Sequence, residues 1–193
     1  KRPIFNPLII HYRNLLDLKK DAICNDNFMK LYKKLCPGPV TFILKKKKQS
    51  KISKIANVGK KTIAVRFPKH RVARNLLKML NIPLAAPSAN ISSKLSPTCA
   101  HDVLDEFGNK IKFILDGGKC KVGLESTIID LTGKPNILRP GFTKTTFSSN
   151  SSFFTISSRS ANISSLGFPC STLDSISDSN LEAVSRSNLY CFS

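Results

Sequence analysis

The chain has 193 residues, with 31 Lys or Arg against 12 Asp or Glu and a formal net charge of +19. That length fits one domain with an appendage and a core of its own. The charge predicts attraction to polyanions such as nucleotides, RNA or acidic membranes, unless it reflects only a bias toward Lys, Ile, Asn and Ser.

Six cysteines without C-x-x-C spacing, and three histidines that do not cluster with them, argue against zinc and for scattered thiols. No apolar run approaches the ~20 residues of a membrane helix. No signal peptide is visible, so the expectation is a soluble, cytoplasmic chain without a membrane partner. The sequence opens on Lys1–Arg2–Pro3, which reads as a fragment lacking its upstream part.

In chain order, an extended arm from Arg2 leads into Asn6–Tyr12 (NPLIIHY), a short buried strand with Pro7 at its start. Asp26 can N-cap a helix running to Leu35, with Phe28, Leu31 and Leu35 on one face. Cys36–Pro37–Gly38–Pro39 stops it, and Val40–Leu44 is the next strand. Lys45–Lys61 is a basic hairpin or loop, either a solvated edge or a track for a phosphate backbone, with no aromatic residue for base stacking. Thr62–Phe67 is a strand ending at Pro68, and Arg71–Leu80 an amphipathic helix with Val72, Leu76, Leu77 and Leu80 inward.

The apolar run Ile82–Ala86 then opens into a loop rich in hydroxyls, Pro87–Thr98, containing Ser88, Asn90 and Ser96. Such a loop at a strand end is either a surface turn or a grip on a ligand. A helix is expected over Ala100–Phe107, and strands over Ile111–Leu115, Glu125–Leu131 and Asn136–Arg139. Strands and helices mix without strict alternation, which predicts an α/β or α+β domain with a mixed, twisted sheet. The domain is expected to span residues 1–142. Residues 143–193, about a third of them serine, read as a disordered or weakly structured tail, with a short helix possible at Ser179–Val184.

Arg2, Arg66 and Arg139 stand where strands begin or end beside proline, and guanidinium suits carboxylate and phosphate. Gly117–Gly118 and Gly123 flank a loop to Glu125–Ser126–Thr127, where backbone can approach a ligand and Ser126 can donate to an anion. There is no P-loop, no G-x-G-x-x-G, no Ser-His-Asp order and no carboxylate pair placed for acid–base work. The residues therefore point to anion binding in a transfer reaction whose substrates supply the reacting atoms.

The ordered segments R-P-x-x-N-P-L-I-x-H, C-P-G-P-x-T, T-x-x-V-R-x-P, A-P-S-A-N-x-S-x-x-x-S-P-T, E-S-T-I-I-D and L-R-P-G resemble the YrdC-type threonylcarbamoyl-AMP synthases over residues 1–141. The resemblance implies a twisted α/β sheet around a basic concave cleft. It implies the conversion of L-threonine, bicarbonate and ATP, with Mg²⁺, to threonylcarbamoyl-AMP and pyrophosphate. The product would pass to a separate tRNA threonylcarbamoyl transferase complex for t6A modification. It also implies ATP contacts at Arg2, Asn6, Thr62, Ser88, Asn90, Ser96 and Arg139, and threonine contacts at His11, Arg66, Ala86 and Ser126.

Two departures accompany it. The family's K-x-R lysine would lie upstream of residue 1, as would its opening strand–helix region. The sequence past Gly141 matches neither of the family's usual endings. Besides the synthase, two readings stay open: a basic tRNA- or double-stranded-RNA-binding module without catalysis, and an inactive fragment.

Overall fold

A computed structural model describes residues 6–91, 94–120, 125–141, 143–147, 154–157 and 190–191. The elements run β1 (Ile9–His11), α1 (Leu15–Asp21), α2 (Asp26–Leu35), β2 (Val40–Lys45), β3 (Thr62–Arg66), α3 (Arg71–Leu80), β4 (Leu84–Ala86), α4 (Ala100–Phe107), β5 (Ile114–Leu115), β6 (Thr127–Asp130) and β7 (Asn136–Arg139). Beyond them lie β8 (Lys144–Phe147), β9 (Phe154–Ser157) and β10 (Tyr190–Cys191). The main sheet has six strands in the order β4-β1-β3-β2-β6-β7. β1 is parallel to β3 and β2 to β6, while the other three pairings are antiparallel. This is the mixed α/β sheet that the sequence predicts.

Period-two alternation gives the sheet two unlike faces. Ile10, Val65, Phe42 and Ile129 form one cross-strand row, flanked by Ile63, Leu44 and Val40, and all are buried. Leu18 of α1 and Phe28 and Leu31 of α2 belong to the same cluster. Phe28 meets Phe42 edge-on at 5.3 Å between ring centroids, and Tyr32 meets Phe67 edge-on at 4.9 Å. Each such side chain contributes roughly 1.5–3 kcal/mol on burial, so this face anchors the domain. The opposite face carries His11, Ala64, Arg66, Thr41 and Ile128, and supplies the candidate site.

The turns are fixed locally. Asn14 and Asn25 cap α1 and α2, their side chains accepting from Asp17 N and Phe28 N at 2.9 Å. The cap of α2 is thus Asn25, one residue before the expected Asp26. Gly38 lies where a Cβ would strike the Leu35 carbonyl, and its N–H donates to Phe67 O at 2.9 Å. α3 ends on Asn81 in the left-handed conformation, φ 53°.

α3, α4 and β7 have the expected bounds, α2 begins one residue early at Asp26, and Lys45 is added to β2. In α3, Ala73 and Leu77 are the buried residues, whereas Val72, Leu76 and Leu80 are half-buried. β1 and β5 are shorter than their apolar runs. α1 was not anticipated, although Asn14 and Asp17 carry its capping signal. Past Thr143 the described residues include three short strands: β8 pairs antiparallel with β9, and β10 runs parallel to β5. Their segments KTTF, FTIS and YC are rich in β-branched and aromatic residues, which suits strands. The helix expected at 179–184 lies outside the described residues.

Candidate active site

One row crosses the whole sheet: Leu84 of β4 faces His11 of β1, then Arg66 of β3, Thr41 of β2, Ile128 of β6 and Arg139 of β7. Strands lie ~4.8 Å apart, so His11 and Arg66 are immediate neighbours and Arg139 is about 15 Å from Arg66 at the backbone. Ser126 completes the row from just before β6. Its Oγ lies 2.8 Å from Thr41 Oγ1, and both residues are buried.

Arg139 closes this end of the sheet. Its Nε and Nη2 donate to Ser126 O at 3.1 and 2.9 Å, and Nη2 also reaches Ser126 Oγ at 3.2 Å. Nη1 pairs with the Glu125 carboxylate. The guanidinium thus fixes the peptide that presents Ser126. Gly141, two residues on, lies against the backbone of Glu125 and Thr127, where a Cβ would collide. The L-R-P-G and E-S-T motifs are therefore two sides of one contact.

His11 Nδ1 is buried without a hydrogen-bond partner among the described residues. Burial, and then the positive Arg66 beside it, lower the imidazole to about 4, so it is neutral at physiological pH. A neutral imidazole next to a guanidinium offers an acceptor beside a bidentate anion donor.

The remaining predicted residues do not join this row. Thr62 shares its face but lies at the far end of β3, about 13 Å along the strand from Arg66. Ala86 pairs with Ile9, and the chain then leaves the sheet where β1 enters it, taking exposed Ser88 toward the end that also holds Asn6 and Thr62. The structure therefore separates three of the seven expected nucleotide residues (Asn6, Thr62, Ser88) from His11, Arg66 and Ser126. Arg139, assigned to the nucleotide by resemblance, sits with the second group. Arg2 lies outside the described residues.

The serine loop rests on α4. Buried Ala89 packs with Val103, and Phe107, Ile111 and Ile114 surround them. Ile91 N donates to Glu106 Oε1 at 2.6 Å. Asn90 Nδ2 donates to Lys94 O at 2.7 Å, leaving its Oδ1 buried with no hydrogen-bond partner among the described residues. Ser96 is exposed. Thr41 and Glu125 received no role from the sequence, although the threonine of C-P-G-P-x-T and the glutamate of E-S-T-I-I-D marked their positions. Among the described residues no group of three or more His, Cys, Asp or Glu could hold a metal ion, and no helix is long and apolar enough to cross a membrane.

The Sua5/YciO/YrdC family model, described as telomere recombination, matches residues 1–141. The threonylcarbamoyl-AMP synthase of Pyrococcus abyssi is 45% identical over 143 residues, covering 72% of this chain and 41% of the relative. The synthase of Schizosaccharomyces pombe is 39% identical over 163 residues, covering 72% and 40%. Pyrococcus abyssi Sua5, solved in complex with L-threonine, superposes with a TM-score of 0.70 at 44% identity, covering 74% of this chain and 42% of that one. Escherichia coli YciO gives 0.64 at 26% identity over 72% and 68%. The chain thus spans about two fifths of the length of the first curated relatives.

Proposed function

The chain belongs to the Sua5/YciO/YrdC family, and we propose that it carries the cleft of a threonylcarbamoyl-AMP synthase, a nucleotidyltransferase acting on L-threonine, bicarbonate and ATP. The observation that carries this reading is the row His11–Arg66–Thr41–Arg139 with Ser126. Arg66 takes the threonine carboxylate in a charge-assisted pair. His11 Nδ1, held neutral, accepts from the amine or hydroxyl of the amino acid, and Ser126 supplies a further hydroxyl. The backbone of Ala86 lies one strand away. Asn6, Thr62, Ser88, Asn90 and Ser96, with Arg2, would line the nucleotide side, so that the two substrates meet over the sheet between its ends.

In the reaction the threonine nitrogen takes up the bicarbonate carbon with loss of water, and the new carbamate oxygen displaces pyrophosphate from the α-phosphorus of ATP. No side chain supplies a reacting atom, so this protein's part is orientation and charge stabilisation. Mg²⁺ enters as part of the nucleotide substrate, held mainly by phosphates and water. The product would serve t6A modification of tRNA by a separate transferase complex, in the cytoplasm.

The test is release of pyrophosphate from ATP that requires both threonine and bicarbonate, measured on this chain and on one extended upstream. Arg66→Ala is expected to lower kcat/KM for threonine by about 10- to 100-fold, the worth of one or two charge-assisted bonds, with the circular dichroism spectrum unchanged. Absence of turnover by the unmodified protein with all three substrates overturns the reading.

A second reading, an RNA-binding module without catalysis, is favoured by the lysine-rich loop between β2 and β3. It predicts tRNA binding that weakens linearly with log salt while no pyrophosphate is released.

A further inference from the structure

Two thiols, neither used by the proposed reaction, are brought together where the serine loop meets the turn after β5. Cys99 precedes α4 and Cys120 follows the Asp116–Gly117–Gly118 turn; both are half-buried thiols. The segments are tied by a backbone hydrogen bond from Cys120 N to Thr98 O at 2.7 Å. That bond limits the geometry. One carbonyl-to-Cα step across a trans peptide and one N–Cα bond added to it cap the Cys99–Cys120 Cα separation at about 7 Å. Disulfides span Cα separations of about 4.4–6.8 Å, so the backbone already sits within or at the edge of bridging range.

The side chains sense one another as well. Burial, then the fields of Cys99 and Asp102, push the Cys120 thiol up. The Asp102 carboxylate is lowered to about 2 by the Thr98 N–H first, then by the Cys99 side chain and the Thr98 hydroxyl that hydrogen-bond it. Asp102 thus holds the α4 start, Thr98 and Cys99 in one arrangement. Cys24 and Cys36 are differently placed. They bracket the 10-residue helix α2, whose length of about 15 Å keeps them apart, and both pack on the large core.

We propose that Cys99 and Cys120 form a reversible intramolecular disulfide, a redox modification site that clasps the end of the serine loop to the turn after β5. With a low-molecular-weight disulfide such as oxidised glutathione, one thiolate attacks a glutathione sulfur and releases one glutathione thiolate. The second thiolate then attacks the protein sulfur of the mixed disulfide and expels the other glutathione. Two S–H bonds are lost, one S–S bond forms in the protein, and one glutathione disulfide is reduced to two thiols. The rate rises with pH, because the thiolate is the attacking species.

The test treats the full chain with oxidised glutathione at pH 8, blocks remaining thiols by alkylation and maps peptides by mass spectrometry. The expected product is a Cys99–Cys120 linked peptide, carrying no glutathione and restored to two free peptides by reductant. In Cys99→Ser, Cys120 is expected to retain glutathione as a mixed disulfide, and the converse holds in Cys120→Ser. Wild-type protein that keeps glutathione on either cysteine without the link overturns the proposal. So does a link joining either one to another cysteine. Because the readout is covalent mass, the outcome does not depend on whether the proposed synthase reaction occurs.

Discussion

At the scale of the residue, His11 couples the site to pH. Its imidazole ordinarily titrates near 6.5 and is lowered to about 4 in the fold, by burial first and by Arg66 second. Between these values the unfolded chain binds the proton and the folded chain does not, so stability increases with pH across that window. The contribution is complete above about 6.5, declines as pH falls and is gone near 4, amounting to roughly 3 kcal/mol. His11→Gln is expected to flatten this part of the stability curve, measured as urea midpoints at pH 7 and pH 5. An undiminished slope in the variant would assign it to other groups. His11, Arg66, Ser126 and Arg139 could each be singled out from the sequence by type and position. That they share one row could not, since register across β1, β3, β2, β6 and β7 depends on contacts far apart in the chain. Thr41 was missed for the same reason: inside an apolar strand, only its pairing with Ser126 gives it a role.

At the scale of the element, the long β2–β3 connection is a built structure. The buried Asp21 at the end of α1 accepts from Tyr12 Oη at 2.9 Å, from Ser50 Oγ at 2.8 Å and from Lys51 N at 3.2 Å. Its own carbonyl receives Lys47 N at 2.8 Å. One carboxylate therefore joins a strand, a helix and the loop. Tyr12 is held in its neutral, donating form by burial and by Asp21. Asp21→Ala leaves three donors without that acceptor and is expected to cost about 3 kcal/mol, whereas Tyr12→Phe removes one neutral donor and costs about 1 kcal/mol. Urea unfolding of both variants gives the comparison; equal losses would deny Asp21 its joining role. Here the sequence was legible in part. Composition marked the loop as basic and the Cys36–Pro39 stop as firm, but α1 is short and its buried aspartate sits among charged residues, so its inward face left no apolar period to read.

At the scale of the molecule, the charge is distributed unevenly about the sheet. Eight lysines lie between Lys45 and Lys61 with no acidic residue among them. None of the eight forms an ion pair among the described residues. Lys46 and Lys47 are turned inward onto Ile52 O and Lys19 O at 2.7 and 2.6 Å, while Lys45, Lys48, Lys51, Lys54, Lys60 and Lys61 are exposed. The loop stands at the end of β2 and the beginning of β3, opposite the His11–Arg66 end. Pinned by Asp21, it presents these charges on an ordered backbone, which reduces the entropy lost when a polyanion docks. Without aromatic residues, it offers a nucleic acid contacts to phosphate and no stacking surface for bases. Replacing Lys48, Lys51, Lys54 and Lys60 together by Gln removes four exposed charges that form no ion pair among the described residues, so the melting temperature should stay within about 2 °C. If all four neutralise phosphates of duplex RNA, the slope of log affinity against log salt falls in magnitude by roughly 3.6. Titrations across a range of salt concentrations measure that slope directly. An unchanged slope would place RNA contacts elsewhere and leave this loop as a solvated edge protecting the β2–β3 end from association with other chains.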